Sequence, residues 1–468
     1  MPRRLSNLSV LAVAGCLPLV QGCTVGPRYH PPVVSVPKAW RVTVAEGASL
    51  GNEQWWTLLK DPVLQQLVRA AVAHNTDIRT AASQLMQAQA QVVVARAAQF
   101  PAISANPSFQ SEQLPAGAAG NVLSHAEQFK LYELAGSGSY AADFWGQYRQ
   151  ATAQERENLL ASEQSRRNVI IGVVSSVAQD YFQLRTLDLE LQQTQETVTA
   201  YRKSLDLTTS LFEGGVTSEL DVKQAQTALD SALTEIPALQ EQIGRQEDAL
   251  NILLGENPMA VPRGLSIERQ PLPPSVPAGL PSQLLERRPD IIEAADRLAA
   301  AYDAVDVAQA RFFPQLSLTA AGGAESTGLS HLLSAPSVLW DIVAGLTQPI
   351  FEGGALVGNL RITKAEQMQA LIAYQAAVLT AFQQVNDALI SYQRTREQLN
   401  AQEALVSAAE DSLNLANLRY QGGVDTYLNV LTAEESLFTG RITLASDRGA
   451  VLTALVQLYQ ALGGGWQA

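Results

Sequence analysis

"LFEGGVTSELDV" spans Leu211–Val222 and "LRYQGGVDTYLNV" spans Leu418–Val430. Each sets Gly-Gly-Val between two long stretches of helical pattern. Glycine permits positive φ at a tight reversal, so each motif reads as a turn that sends one helix back along its partner. From Gln147 to Phe212 there is no proline and only Gly172, which predicts one continuous helix of ~100 Å at 1.5 Å per residue. Along it Val177, Tyr181, Leu184, Leu187, Leu191, Thr194, Val198, Tyr201, Leu205, Thr208 and Phe212 recur by threes and fours. Val222, Ala225, Leu229, Ala232, Ile236, Leu239 and Ile243 do the same on the return. A mean spacing of ~3.5 residues predicts helices lying side by side as coiled coils. Pro237 is expected to kink the returning helix.

The design is used twice. Val385, Tyr392, Leu399, Val406 and Leu413 repeat the first stripe before the second turn, and Val430, Ala433, Leu437, Gly440 and Leu444 repeat the return. "RAAQFPAIS" from Arg96 matches "QARFFPQLS" from Gln309, and "TDIRTAASQL" from Thr76 matches "PDIIEAADRL" from Pro289. Aligning both the Phe-Pro pairs and the Gly-Gly-Val turns makes the second copy about five residues shorter in between. In that interval residues alternate as strands do. Ile103, Ala105, Pro107 and Phe109 oppose Ser104, Asn106 and Ser108; Leu316, Leu318, Ala320 and Gly322 share a face, as do Val338, Trp340, Ile342, Ala344 and Leu346. Leu134, Gly136, Gly138, Tyr140, Ala142 and Phe144 form the remaining run. Each copy thus supplies one antiparallel hairpin with strands of ~10 residues, the length of a tilted bilayer-crossing strand. A soluble β-domain is the alternative that alternation alone leaves open.

Composition narrows the partners. Charged residues are only 16% and the net charge is −13, which argues against nucleic acid and fits a surface or channel that meets cations. Two Cys and four scattered His (His30, His74, His125, His331) give no disulfide framework and no metal site. The basic "MPRR" followed by apolar Leu8–Val20 reads as a secretory leader, too short to span a bilayer. "LVQGC" ending at Cys23 resembles a bacterial lipoprotein signal, in which the Cys is acylated and becomes the mature N-terminus. "VAGC" ending at Cys16 is a competing match, and an ordinary leader with an incidental Cys is a third reading.

The expected organisation is a leader over 1–22 and a lipidated extension over 23–60. A first repeat follows over 61–254 (hairpin about 102–144, helices about 147–254), then a Pro-rich linker over 255–280. The second repeat covers 281–463 (hairpin about 315–350, helices about 353–463). The fold class is mainly α with a transmembrane β-barrel. Four strands cannot close a barrel, and hydrocarbon tolerates no open sheet edge, so copies of the chain must pool their strands. Two copies give eight strands, whose interior side chains would fill; three give twelve, with room for a channel.

The motifs "WWTLLKDPVLQQLVRAAVAHNTDI" (Trp55–Ile78), "ARAAQFPAIS", "DFWG" (Asp143–Gly146), "ERRPDI" (Glu286–Ile291), "QPIFEGG" (Gln348–Gly354) and "RYQGGVDTYLNVL" (Arg419–Leu431) follow one another in fixed order. With "TVGPRYHPP" after Cys23, the chain resembles the TolC-like outer-membrane efflux factors, lipoprotein branch, over essentially its whole length. The resemblance implies a homotrimer: a β-barrel in outer-membrane lipid and a helical barrel crossing the periplasm. It also implies a passive exit duct for small toxic compounds or drugs. Its partners would be a periplasmic adaptor and an inner-membrane proton-driven transporter of the resistance-nodulation-division type. It further implies that Gly214, Gly215, Val216, Gly422, Gly423 and Val424 meet the adaptor, beyond simply making turns.

Asp425, directly after the second turn, has two readings: a ring of carboxylates at a constriction of the pore, or the N-cap of the returning helix. Arg419 and Tyr420 are candidates for the other half of a latch. No catalytic constellation and no cofactor motif is found. "GGALVGN" (Gly353–Asn359) places Asn359 where a phosphate-binding loop needs Lys. The exit duct of a type I protein secretion system and a lipid-anchored structural coiled-coil protein stand as alternatives.

Overall fold

The computed structural model describes residues 26, 29–42, 54–115, 127–272 and 276–465, so the leader, Cys16 and Cys23 lie outside the described residues. In chain order the elements are α1 (Pro62–His74), α2 (Thr76–Ala97), β1 (Ala102–Leu114), β2 (Glu127–Ala142), α3 (Gln147–Glu213) and α4 (Glu219–Leu254). The second repeat follows with α5 (Pro289–Ala310), β3 (Gln315–Ser326), β4 (Val338–Thr347), α6 (Ala355–Gln421) and α7 (Tyr427–Ala461). Helix, hairpin and long antiparallel helix pair occur twice, as the internal repeat predicts. The chain divides into two compact units. One holds Met1–Pro32, Leu85–Ala161 and Ala294–Tyr374; the other holds Val33–Gln84, Ser162–Glu293 and Gln375–Ala468.

In the first unit the strands form one antiparallel sheet in the order β1-β2-β3-β4. Its register sets apolar against apolar: Leu134 opposite Ala324, Leu316 opposite Leu346, and Ala320 opposite Ile342. Phe109 lies opposite Tyr132 with ring centroids 4.8 Å apart. The other face is polar: the Ser104 and Ser137 hydroxyls lie 2.8 Å apart, and Ser108 donates to Glu133 at 3.1 Å. β1 and β2, at 13 and 16 residues, outrun the ten expected. Beyond the Phe109–Tyr132 pair the alternation reverses, Ser111 and Lys130 taking the formerly apolar face, so the apolar band ends there.

The sheet also stops earlier than expected, at Ala142 and Thr347. Phe144 leaves the ladder because Gly146, at φ +83°, turns the chain into α3. Trp145 in that turn stacks on Phe313 at 4.8 Å and donates to the Pro314 carbonyl at 2.7 Å. The Phe-Pro motif of one repeat therefore seats the strand-to-helix corner of the other.

In the second unit the 3.5-residue stripe is the packed seam. Val177, Tyr181, Leu184, Val198 and Tyr201 of α3 are buried, as are Ala225, Leu229 and Ala232 of α4. Val385, Tyr392 and Val406 of α6 and Val430, Leu437, Val451 and Leu458 of α7 are buried in the same way. Pro237 is carried inside α4 without interrupting it.

Two buried polar side chains tie the short helices to the long ones. Asn75 ends α1 and starts α2, its carbonyl oxygen accepting from the Asp77 and Ile78 amides while its amide donates to Leu253 of α4. Asp61 is fully buried and accepts five hydrogen bonds. Val63 and Leu64 amides cap α1 through Oδ1. Tyr181 Oη at 2.8 Å, the Leu265 amide at 3.1 Å and Gln270 Nε2 at 2.7 Å reach Oδ2. A buried carboxylate saturated by neutral donors holds the linker against α3, and deleting it strands all five. Asp61→Ala should cost ~2–4 kcal/mol, with Asp61→Asn milder. Thermal melts followed by helical circular dichroism check this: a clear drop in midpoint is expected, and an unchanged midpoint contradicts it.

Candidate functional site

One face of the sheet is apolar and bare. Trp340 is 75% and Ile342 73% exposed, with Ile103, Phe109, Val338 and Leu346 beside them. A water-soluble domain covers such a face; lipid is the solvent that tolerates it. No helix among the described residues is long and apolar enough to cross a membrane.

The two turns between long helices form the second site. In the first, Gly215 donates to Phe212 O and Val216 to Leu211 O; in the second, Gly423 donates to Tyr420 O and Val424 to Arg419 O. These paired 5→2 and 6→1 bonds close each helix by the same device, which needs a left-handed residue at one position. Gly215 (φ +73°) and Gly423 (φ +69°) are those residues. Gly214 and Gly422 keep negative φ, so positive φ belongs to only the second glycine of each pair, because the first still completes the helix. Val216 and Val424 follow, 74% and 68% exposed, an apolar side chain held out at each tip.

Asp425 is the electrostatic centre of the second tip. Arg419 Nε donates to its Oδ2 at 2.9 Å, the Thr426 amide donates to Oδ1 at 2.9 Å, and Asn429 donates to Oδ1 as well. The Arg419 hydrogen bond first, then those from Thr426 and Asn429, hold the carboxyl below its ordinary range. The contact therefore persists through neutral and mildly acid pH and is lost only as pH falls through that depressed value. The N-cap of α7 is Thr426, so Asp425 stands one residue before the cap and not at it.

The family described as "Outer membrane efflux protein" matches residues 67–256 and 280–464. The chain belongs to the outer membrane efflux protein family. The toluene efflux pump outer membrane protein TtgC of Pseudomonas putida is 36% identical over 98% of this chain and 96% of its own length. The cation efflux system protein CusC of Escherichia coli is 32% identical over 95% and 96%. Among solved structures, the outer-membrane channel OprN superposes with a TM-score of 0.88 at 28% identity, covering 95% of this chain and 100% of that one. The bare sheet face is accordingly the lipid-facing side of an outer-membrane efflux protein, and its relatives are channels.

The efflux protein brings some of the sequence-predicted residues together and not others. Arg419 meets Asp425 within one hairpin. Tyr420 does not: its ring packs on Tyr427 at 5.6 Å and its buried hydroxyl has no hydrogen-bond partner. Asn429 was missed, although its i,i+4 spacing from Asp425 was a usable signal. The first tip carries the same contact with the chemistry exchanged, Thr217 donating to Asp221. There Leu211 stands where Arg419 does, so only the second turn has an ion pair. Cys23 lies outside the described residues.

Placing alanine in left-handed geometry costs ~1–2 kcal/mol. Gly423→Ala is therefore expected to loosen the second tip, seen as faster amide exchange over 418–428, while Gly422→Ala changes it little. Equal effects would contradict the assignment of Gly423.

Proposed function

We propose that three copies of the chain pool their sheets into a twelve-stranded outer-membrane barrel. This barrel is the passive exit duct of a tripartite efflux pump. The observation that carries the reading is the sheet itself: apolar on one face, polar on the other, with β1 and β4 unpaired at its edges among the described residues. Edge peptide groups in hydrocarbon cost several kcal/mol each, and pairing β4 of one copy with β1 of the next satisfies them. Eight strands would leave an interior filled by side chains, so three copies are favoured over two.

The tips at Gly214, Gly215, Val216, Gly422, Gly423 and Val424 contact a periplasmic adaptor, with the exposed Val216 and Val424 as its apolar anchors. An inner-membrane proton-driven transporter supplies energy, and Cys23 carries the acyl anchor in outer-membrane lipid. The cargo is small toxic compounds; the relatives TtgC and CusC are named for toluene and cation efflux, respectively. Asp425 and Arg419 close the tip ring at rest.

Cysteines placed on β1 and β4 should cross-link copies into trimers in native membranes, and a ladder ending at dimer, or none, refutes the assembly. Asp425→Ala frees Arg419 and removes the latch, so single-channel conductance in planar bilayers should rise several-fold. Unchanged conductance would remove Asp425 from the gate.

A further inference from the structure

Glu434 is the one glutamate among the described residues that sits in the seam of the long helices. It lies one turn after Val430 and one turn before Leu437, beside Ala433, and is 8% exposed. Its Oε2 is buried with no hydrogen-bond partner. The groups around it supply no cation. From α3 come the Tyr201 hydroxyl and the Ser204 hydroxyl, the latter 3.2 Å from that of Tyr427 and also favouring the ionised form of Glu434. From α7 come Tyr427 and the carboxylate of Glu435, which repels it. Asp221 of α4 and Tyr420 of α6 complete the set through Tyr427. The basic residues of the adjoining turns, Arg202, Lys203 and Lys223, are exposed.

The corresponding place in the first repeat holds Gln226, which is only half-buried and donates along its own helix to Asp230 at 2.8 Å. The ionisable group therefore belongs to the hairpin that carries the Arg419–Asp425 pair and is absent from the other.

We propose that Glu434 is a proton-operated clasp between α7 and α3, about three helical turns from the second tip. Protonated, it completes the seam; ionised, it leaves an uncompensated charge in an apolar interface and loosens the hairpin. Burial, partly offset by Ser204 and reinforced by Glu435, pushes its carboxyl up to about 7 from the ordinary 4.5. Because the packed state holds the proton more tightly than the opened one, packing strengthens as pH falls from about 7 toward 4.5 and is weakest above about 7. The Asp425 contact has the opposite sign and fails only below the ordinary carboxylate range, so the two do not overlap.

Amide exchange over residues 430–440 of the intact protein in detergent, corrected for intrinsic rates, tests the clasp directly. Protection should be several-fold greater at pH 5.5 than at 7.5 in the wild type. In Glu434→Gln it should be high and equal at both. Asp447, whose carboxyl on α7 accepts from Gln398 of α6 at 2.7 Å and is likewise raised by burial, is the control: Asp447→Asn should retain the response. A wild type with no response overturns the proposal. So does a response that survives in Glu434→Gln, or one that vanishes only in Asp447→Asn.

The consequence for conductance rests on the channel reading above. Wild-type conductance should fall as pH drops from 8 to 5, and that of Glu434→Gln should stay low throughout. If neither wild type nor Asp425→Ala conducts, the channel reading fails while the exchange result still decides the clasp.

Discussion

Hydrocarbon offers no hydrogen bonds, and that single constraint organises the molecule. A sheet of four strands has two raw edges, and this one carries Trp340, Ile342 and Leu346 on a face where water would be excluded. Water penalises the bare face and lipid penalises the raw edges. The sheet is in effect a fraction of a wall, and the two hairpins of the repeat supply only that fraction. Ser104, Ser137, Ser108 and Glu133 on the opposite face are what a water-filled interior requires.

The second unit obeys a different rule. Its long helices have no large core; they are held by a narrow stripe of Val, Leu, Ala and Tyr, with a few buried polar groups in it or against it. Where such a group is saturated, as Asp61 is by five donors, it acts as a fixed joint. Where it is left short of partners, as Glu434 is, the interface acquires a dependence on protonation. The same residue chemistry is thus a rivet in one place and a weak point in another, and the difference is the number of donors within reach.

Much of the fold was legible because its periods are strong. Alternation at period 2 marked the hairpins, and the ~3.5 period marked the seams, since both patterns report which residues face a neighbour. Boundaries were less legible: Phe144 continues the alternation but leaves the sheet at Gly146, a turn decided by the docking of Trp145 on Phe313 from the other repeat. At the tips, Gly-Gly-Val was readable as a reversal, but which glycine takes positive φ depends on where the last helical hydrogen bond closes. Arg419 donates to Asp425 in the structure, whereas Tyr420, its neighbour in sequence, turns toward Tyr427 instead.

The sequence by itself determined the repeat, the alternation of strands and long helix pairs, the apolar faces and the shortage of strands that forces copies to combine. Those properties are local and periodic, and each residue announces its face through its spacing. Only the tertiary structure decided that Asp61 gathers donors from two distant segments, α3 and the linker, and that Glu434 lies near Ser204 and Tyr201 across the seam. Hydrogen bonds and desolvation depend on distances of a few ångströms between residues far apart in the chain, and no spacing along one strand or helix encodes them.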